Sequence, residues 1–317
     1  MKKLTRNETA QYLLSHDNYC ILSHRRPDGD TIGSTAALCL GLRQLGKNAH
    51  VLYNAEISDR FQWLHEGLEK AEAQEGDTIV TVDVASPGML PLAFQHLLGK
   101  IDLRIDHHSA ATSFTDNELV DGSSASCAEV VWDVLELMGV TPDPTIAEAA
   151  YVGLSTDTGC FRYSNTTAHT FATAARCAEA GARVYELNQE LFETNSLGRL
   201  RIQGWIVEHL KLFGGSKLAI VAIPRAVEEQ LQLTEDDMDN ISNFPRTVAG
   251  VCMAATLREE KSGRVKLSVR AVPGYDATAI TTRFGGGGHK GAAGASFSCT
   301  LEDAAGLVEA AMLEVDR

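Results

Sequence analysis

The chain has 317 residues, 44% of them hydrophobic, which is enough to bury a core in each of two domains. Its net charge of −14 excludes tight, sequence-blind binding to long duplex nucleic acid, because that affinity comes from many Lys and Arg contacts to phosphate. The opening MKKLTRNETAQYLLSH has no apolar signal-peptide core and no later stretch is long enough to span a bilayer, so a cytoplasmic protein without a membrane partner is expected. Seven cysteines, odd in number, scattered and without a C-x-x-C pair, argue against a disulfide framework and a zinc ribbon, and for small buried thiols in a reducing compartment.

Along the first half, apolar runs alternate with amphipathic stretches as in β-α units. A strand at YCILS is followed by a helix from about Gly33 to Leu45, then by strands at HVLYN, DTIVTVDV and KIDLRID. From Ala125 to about Glu193 the pattern is helical, in AEVVWDVLELMG, PTIAEAAYVGLSTDTG and HTFATAARCAEAG, each closed by glycine. A further helical stretch, SLGRLRIQGWIVEHLKLF, runs to Gly214-Gly215, after which strands return as KLAIVAI, VAGVCMAATLRE and RVKLSVRAV, with a closing amphipathic helix from Leu301. The expected fold class is α/β: an N-terminal mostly parallel sheet with helices on both faces, plus a smaller α/β C-terminal domain across a cleft. Residues 1–190 are read as the catalytic domain, 191–214 as a helical linker and 215–317 as the substrate-binding domain. Trp63, Trp132 and Trp205 sit in helical patterns and are expected in the core.

Acids and imidazoles fall where these elements end: His24, Asp28 and Asp30 in SHRRPDGDTIGS, Asp83 in TIVTVDVASP, Asp106-His107-His108, and Asp157 in GLSTDTG. In open α/β sheets ligands bind beyond the carboxyl ends of strands, so clusters distant in sequence can converge. Carboxylates crowded together repel and desolvate badly unless cations sit between them, which reads as a two-metal hydrolytic centre. Four acids with two histidines suit manganese better than a thiolate-bound zinc. Asp28 and Asp30, two apart on an extended loop, can point at different ions, and Asp83, alone on the central strand, is the natural bridge. Taken singly, Asp28-Gly29-Asp30 also fits a turn and His107 a strand end; the set as a whole is what favours the metal reading. Ser34 and Ser155 lie nearby without a base and an orienting partner, so a serine nucleophile is not expected.

In this order and spacing, SHRRPDGDTIGS, VDVASP, DHHS and STDTG resemble the four motifs of the DHH phosphoesterase superfamily, which includes RecJ exonucleases, family II inorganic pyrophosphatases and small nanoRNases. GGGGHKGAAGA is similar to the glycine-rich motif of the DHH-associated substrate domain, which family II pyrophosphatases lack, so the resemblance covers the whole chain. In size, and in the absence of transmembrane or sensory segments, the chain resembles the bifunctional oligoribonuclease and PAP phosphatase group. The resemblance implies that His24, Asp28 and Asp83 hold one Mn2+ and Asp30, Asp83, His107 and Asp157 the other, with Mg2+ or Co2+ as substitutes. It further implies that Asp106 orients a histidine and that the catalytic His108 faces the scissile phosphate.

Between Arg264 and Lys290 stand Arg264, Lys266, Arg270, Arg283, His289 and Lys290 against one acid, Asp276, in a chain that is otherwise acidic. On RVKLSVRAV, period two sets Arg264, Lys266, Ser268 and Arg270 on one face and Val265, Leu267 and Val269 on the other. The glycines at 285–288 permit a turn whose N–H groups can meet an anion. By resemblance, Arg270, Gly286, Gly287, Gly288 and His289 are the substrate-binding residues. Tyr275 and Phe284 flank them, Phe284 being expected in the core, while Arg25 and Arg26 remain open between phosphate contact and plain solvation.

The expected function is hydrolysis of short RNA oligonucleotides (nanoRNA) to mononucleotides and of 3′-phosphoadenosine 5′-phosphate to AMP by two-metal hydroxide attack. Relatives of this size often pair, which makes a homodimer an expectation as well. The alternatives are a phosphodiesterase specialised for linear dinucleotides from cyclic dinucleotide signalling, and a non-catalytic nucleotide-binding scaffold. The scaffold fits poorly, because relatives of that kind lose metal ligands and every such position is kept here.

Overall fold

Seven strands, β1 (Lys2–Lys3), β2 (Tyr19–Leu22), β3 (Ala49–Leu52), β4 (Glu69–Lys70), β5 (Thr78–Val82), β6 (Leu103–Asp106) and β7 (Asn117–Val120), form one sheet in the computed structural model. Its order is β1-β7-β6-β5-β2-β3-β4, and every pairing is parallel. The structure describes residues 2–108 and 112–315, so Ser109, the end of the DHHS motif, lies outside the described residues. The chain divides into two compact units, Met1–Thr194 and Asn195–Arg317. Among the described residues no helix is long and apolar enough to cross a membrane.

Period-two alternation decides what each face of this sheet covers. Tyr19, Ile21, Val51, Val80, Val82 and Ile105 join the buried residues of helices α1 (Arg6–Ser15), α2 (Gly29–Gln44), α3 (Cys127–Leu137), α4 (Pro144–Asp157) and α5 (Ala168–Glu179) in the main core. Cys20, Leu22, Leu52 and Ile79 face the other way, under the short 3-10 segments Pro87–Met89 and Leu92–Lys100. From β2 the chain steps outward to β4, then returns with β5 to the other edge of β2 and steps outward again to β7. The reversal between β2 and β5 parts the loops at their carboxyl ends and leaves a crevice there.

Helix α2 begins at Gly29, four residues before the start expected from periodicity, because Asp28 caps it by accepting from the N–H groups of Asp30 and Thr31 at 3.1 Å each. Asp30 is therefore in the first helical turn rather than on an extended loop. Helices α2 and α4 cross at glycines: a Cβ on Gly33 would stand 2.3 Å from the Ala149 carbonyl, and one on Gly153 would stand 2.6 Å from Ala128 Cβ and 3.0 Å from Asp30 Oδ1. That close crossing brings the start of α2, which carries Asp30, near the end of α4, which carries Asp157.

In the second unit β8 (Lys211–Phe213), β9 (Leu218–Ile223), β10 (Met253–Glu259), β11 (Val265–Ala271), β12 (Gly287–His289) and β13 (Ala292–Phe297) make a mixed sheet of order β12-β13-β11-β10-β9-β8. Helix Leu197–His209 belongs to this unit, packing Ile202 and Ile206 against Val221 and Ile223, and the KLF read as its end is strand β8. Helix Leu301–Val315 buries Ala304, Val308 and Met312 with Leu218, Met253 and Leu267. Trp132 is buried as expected, but Trp63 is 41% exposed, and Trp205 is half-buried and stacked on His209. All seven cysteines are free, with Cys20, Cys39, Cys127 and Cys177 buried.

Candidate metal centre

Each sequence motif of the first unit ends at the crevice. Asp83 follows β5 with φ of 61°, in the left-handed region that asparagine and aspartate tolerate better than other non-glycine residues. Its N–H still bonds the Ile105 carbonyl at 2.9 Å, so the chain turns away while the carboxylate stays at the strand end. Thr31 Oγ1 donates to Asp83 Oδ2 at 2.6 Å. The other oxygen, Oδ1, is buried and has no hydrogen-bond partner among the described residues.

Asp30 is fixed more firmly. Its Oδ2 accepts from Cys127 N at 2.7 Å, and its Oδ1 from Ala128 N at 2.9 Å and Ser34 Oγ at 3.0 Å. The first two donors are the free amides at the N-terminus of α3, where a carboxylate is favoured. Asp157 closes α4, with the Asn165 side-chain amide bonded to its carbonyl at 3.1 Å.

The two histidines present the same face. His24 Nδ1 bonds the Arg25 carbonyl at 2.8 Å and His107 Nδ1 the Ser124 carbonyl at 3.3 Å, so Nδ1 carries the proton and each Nε2 offers a lone pair. His24 Nε2 lies 3.7 Å from Asp83 Oδ2 and 3.9 Å from Asp28 Oδ1. His107 Nε2 lies 3.5 Å from Asp83 Oδ1, 3.6 Å from Asp30 Oδ2 and 3.8 Å from Asp157 Oδ2. Lone pairs facing carboxylates at these spacings are too far apart to bond each other and well placed to share a cation. Two donor groups result, His24 with Asp28 and Asp83, and Asp30 with His107 and Asp157, and Asp83 stands against both.

Electrostatics make the same point. Burial, and then the charges of Asp30 and Asp28, push the Asp83 carboxyl well above the usual range. Burial likewise raises Asp30, partly offset by His107. Burial with the charges of Asp30 and Asp28 lifts Asp157 to about 8. Three crowded acids, Asp30 and Asp83 buried and Asp157 partly so, resist ionising side by side and fit divalent cations, whose charge removes the conflict.

Asp106 and His108 border these two groups, His108 Nδ1 lying 3.5 Å from Asp83 Oδ1. Asp106 Oδ1 accepts from His108 Nδ1 at 2.8 Å, which leaves His108 Nε2 as the exposed nitrogen of a side chain that is 31% accessible. Burial opposes charge on both, yet His108 and Arg104 hold Asp106 low, and Asp106 with Asp30 and Asp157 holds His108 high, favouring imidazolium. Arg104 is fully buried, bonded to Asp106 and to the carbonyls of Ala85 and Thr112 at 3.1 and 3.0 Å, with Phe114 against its guanidinium. Sequence reasoning missed it. The signal was an arginine inside the apolar run KIDLRID, where a charge demands a partner. Thr31, which supports Asp83, was missed too. Ser34 donates to Asp30 and Ser155 to a backbone carbonyl, so both hydroxyls are spent on structure. Arg25 and Arg26 are exposed beside a hollow of about 540 Å³ that also meets Glu56 and Gln95.

In the second unit, Val265, Leu267 and Val269 are buried, while Lys266, Ser268 and Arg270 face outward, as the alternation predicts. Lys266, Ser268, Arg270, Gly287 and Gly288 line an open groove of about 720 Å³. Arg270 is held by Asn243, which accepts from its Nε at 2.7 Å. The glycine run departs from a simple turn. Gly287–His289 is the edge strand β12 on β13, and a Cβ on Gly286 would sit 2.1 Å from the Gly294 carbonyl. Arg283 is engaged with Glu314 at 2.6 Å, away from the glycine strand. Phe284 packs with Phe297 at 4.9 Å, as expected for a core side.

Acids and imidazoles gather at the switch point of a parallel sheet, where such sheets bind ligands, and the comparisons with known proteins give the class, a phosphoric ester hydrolase. Residues 18–154 match the DHH family, N-terminal domain, and residues 215–314 match the DHHA1 domain, and the chain belongs to the DHH phosphoesterase family. It is 31% identical over 281 residues to the bifunctional oligoribonuclease and PAP phosphatase NrnA of Thermus thermophilus, covering 87% of this chain and 83% of that protein. The Bacillus subtilis NrnA is 25% identical, covering 92% and 93%. Among solved structures, an exopolyphosphatase-related protein from Bacteroides fragilis has a TM-score of 0.86 at 23% identity, covering 98% of this chain and 96% of its own. RecJ in complex with Mn2+ from Thermus thermophilus has a TM-score of 0.57 at 15% identity, covering 98% of this chain and 54% of RecJ. These two likenesses show the fold.

Proposed function

We propose that this hydrolase is manganese-dependent, that it releases mononucleotides from short RNA oligonucleotides, and that it converts 3′-phosphoadenosine 5′-phosphate to AMP in the cytoplasm. The observation that carries the reading is the convergence of Asp28, Asp30, Asp157, His24 and His107 on Asp83, whose buried Oδ1 has no hydrogen-bond partner among the described residues. NrnA relatives aligned over most of the chain support the choice of substrates. One ion would be held by His24, Asp28 and Asp83, the other by Asp30, Asp83, His107 and Asp157. When bound, the pair supplies Lewis acidity, which activates water and offsets charge on the phosphate.

The rest of the chemistry falls to the chain itself. His108 donates from Nε2 to the leaving oxygen, and Asp106 keeps the Nδ1 proton in place and stabilises the imidazolium. Arg104 fixes Asp106 so that the pair stays oriented. Arg270, Gly286, Gly287, Gly288 and His289 of the substrate-binding unit hold the terminal phosphate or sugar, while the acidic surface disfavours long strands. Incubation with manganese and two- to five-mer RNAs, long RNA and 3′-phosphoadenosine 5′-phosphate tests this. Turnover of the short RNAs and the bisphosphate, falling steeply with length, is expected; equal or better turnover of long RNA would refute it.

A further inference from the structure

At the amino ends of the strands in the first unit, away from the carboxyl-end centre, lies a second cluster of donors. Cys20 of β2 and His50 of β3 are partners across the parallel ladder, so their side chains share a face. Asp77, the residue before β5, joins them, and one donor atom from each of the three lies within 4.8 Å of the others. Cys20 is fully buried and His50 is 1% exposed. Neither ring nitrogen of His50 has a hydrogen-bond partner among the described residues, and Nε2 stands 3.5 Å from Asp77 Oδ2. A buried imidazole with both nitrogens unmatched is costly, and native structures keep such groups where something else binds them. Neighbouring cations are engaged elsewhere: Lys70 with Gln74 Oε1, and Arg43 with the carbonyls of Ala49 and Gly67.

The geometry points to a zinc site formed by Cys20 Sγ, His50 Nε2 and the Asp77 carboxylate. A thiolate beside an imidazole selects zinc over the manganese that suits the all-oxygen and imidazole centre. Thiolate and carboxylate together balance the ion's two charges, which suits a buried site, and the thiol proton leaves to solvent as the metal enters. Three protein donors leave a fourth position open to a further ligand. Zinc there ties β2 and β3 to the turn entering β5, and binding only to the folded chain raises its stability.

Cobalt tests the site, because a thiolate ligand gives Co2+ an intense near-ultraviolet charge-transfer band that carboxylates and imidazoles lack. The full-length chelated protein is titrated with Co2+ and then with Zn2+. The band is expected to saturate as Co2+ is added, to be abolished by zinc, and to persist in Asp83→Ala. It should vanish in Cys20→Ala and weaken with an affinity loss on the order of 100-fold in His50→Gln, which keeps every thiol. Zinc should raise the melting temperature of the parent by more than that of Cys20→Ala. No band in the parent, or a band undiminished in either variant, overturns the proposal.

Discussion

In the carboxylate crevice of the first unit the charged groups are anchored by backbone or by buried partners, whereas the basic groove of the second unit sets its cations on an open sheet face. Asp30 sits on two amides of α3, Asp83 on Thr31, and both histidines on carbonyls. Lys266 is exposed, Arg270 is braced by Asn243, and the glycine strand beside them is an edge. Buried, pre-oriented groups act when charge develops, and an open charged face acts when ligand arrives. In the proposed function, turnover belongs to the first region and affinity to the second.

The sharpest break is Asp83→Ala. Both donor groups lose their shared carboxylate, so near-complete loss of turnover is expected with circular dichroism unchanged; near-normal activity at saturating manganese would remove the two-metal reading. His108→Ala should lower kcat by about 10²- to 10⁴-fold while bound metal, measured in the same samples, stays constant. Loss of metal in that variant would make His108 a ligand.

Removing metal sharpens the electrostatic side. In the chelated protein Asp157 is lifted from the ordinary 3.8 to about 8, and Asp30 and Asp83 are raised as well. The folded chain then holds protons that the unfolded chain releases, so stability is full below about pH 4 and declines as pH rises towards about 8. Urea melts across that window should show the decline for chelated protein and its absence with manganese; a flat profile for the chelated protein would contradict the crowding argument.

Smaller effects belong to the groove. Arg270→Ala or His289→Ala should raise KM for short oligomers and for 3′-phosphoadenosine 5′-phosphate by roughly tenfold, the worth of one charged hydrogen bond. Hydrolysis of bis(p-nitrophenyl) phosphate should barely change. Equal loss on both substrates would give these residues a structural role. Gly286→Ala forces a Cβ into the Gly294 carbonyl and should raise KM with a stability cost of about 1–3 kcal/mol, whereas Gly287→Ala, with open space at that position, should leave the stability unchanged.

The residues of the crevice were legible because each stands where an apolar run stops, and a parallel sheet carries such stops to one edge. What supports them was not. The start of α2 was read four residues late because GDTI has no hydrophobic period, and only the capping geometry of Asp28 marks it. Arg104 was hidden in a strand, and Thr31 looked like any helix residue until its hydroxyl met Asp83 across 52 positions of sequence. In the second unit alternation located the Lys266–Arg270 face, but four consecutive glycines hold no side-chain pattern, so the edge strand β12 was invisible. Short strands such as β1 and β4, two residues each, carry too little pattern to read.

The central claim is that Asp83 serves two cations at once, and counting manganese tests it most directly. Equilibrium dialysis of the full-length chelated protein against Mn2+, followed by elemental analysis, should give two ions per chain for the parent and fewer than one tightly held ion for Asp83→Ala. A single ion in the parent, or two in the variant, would contradict the account.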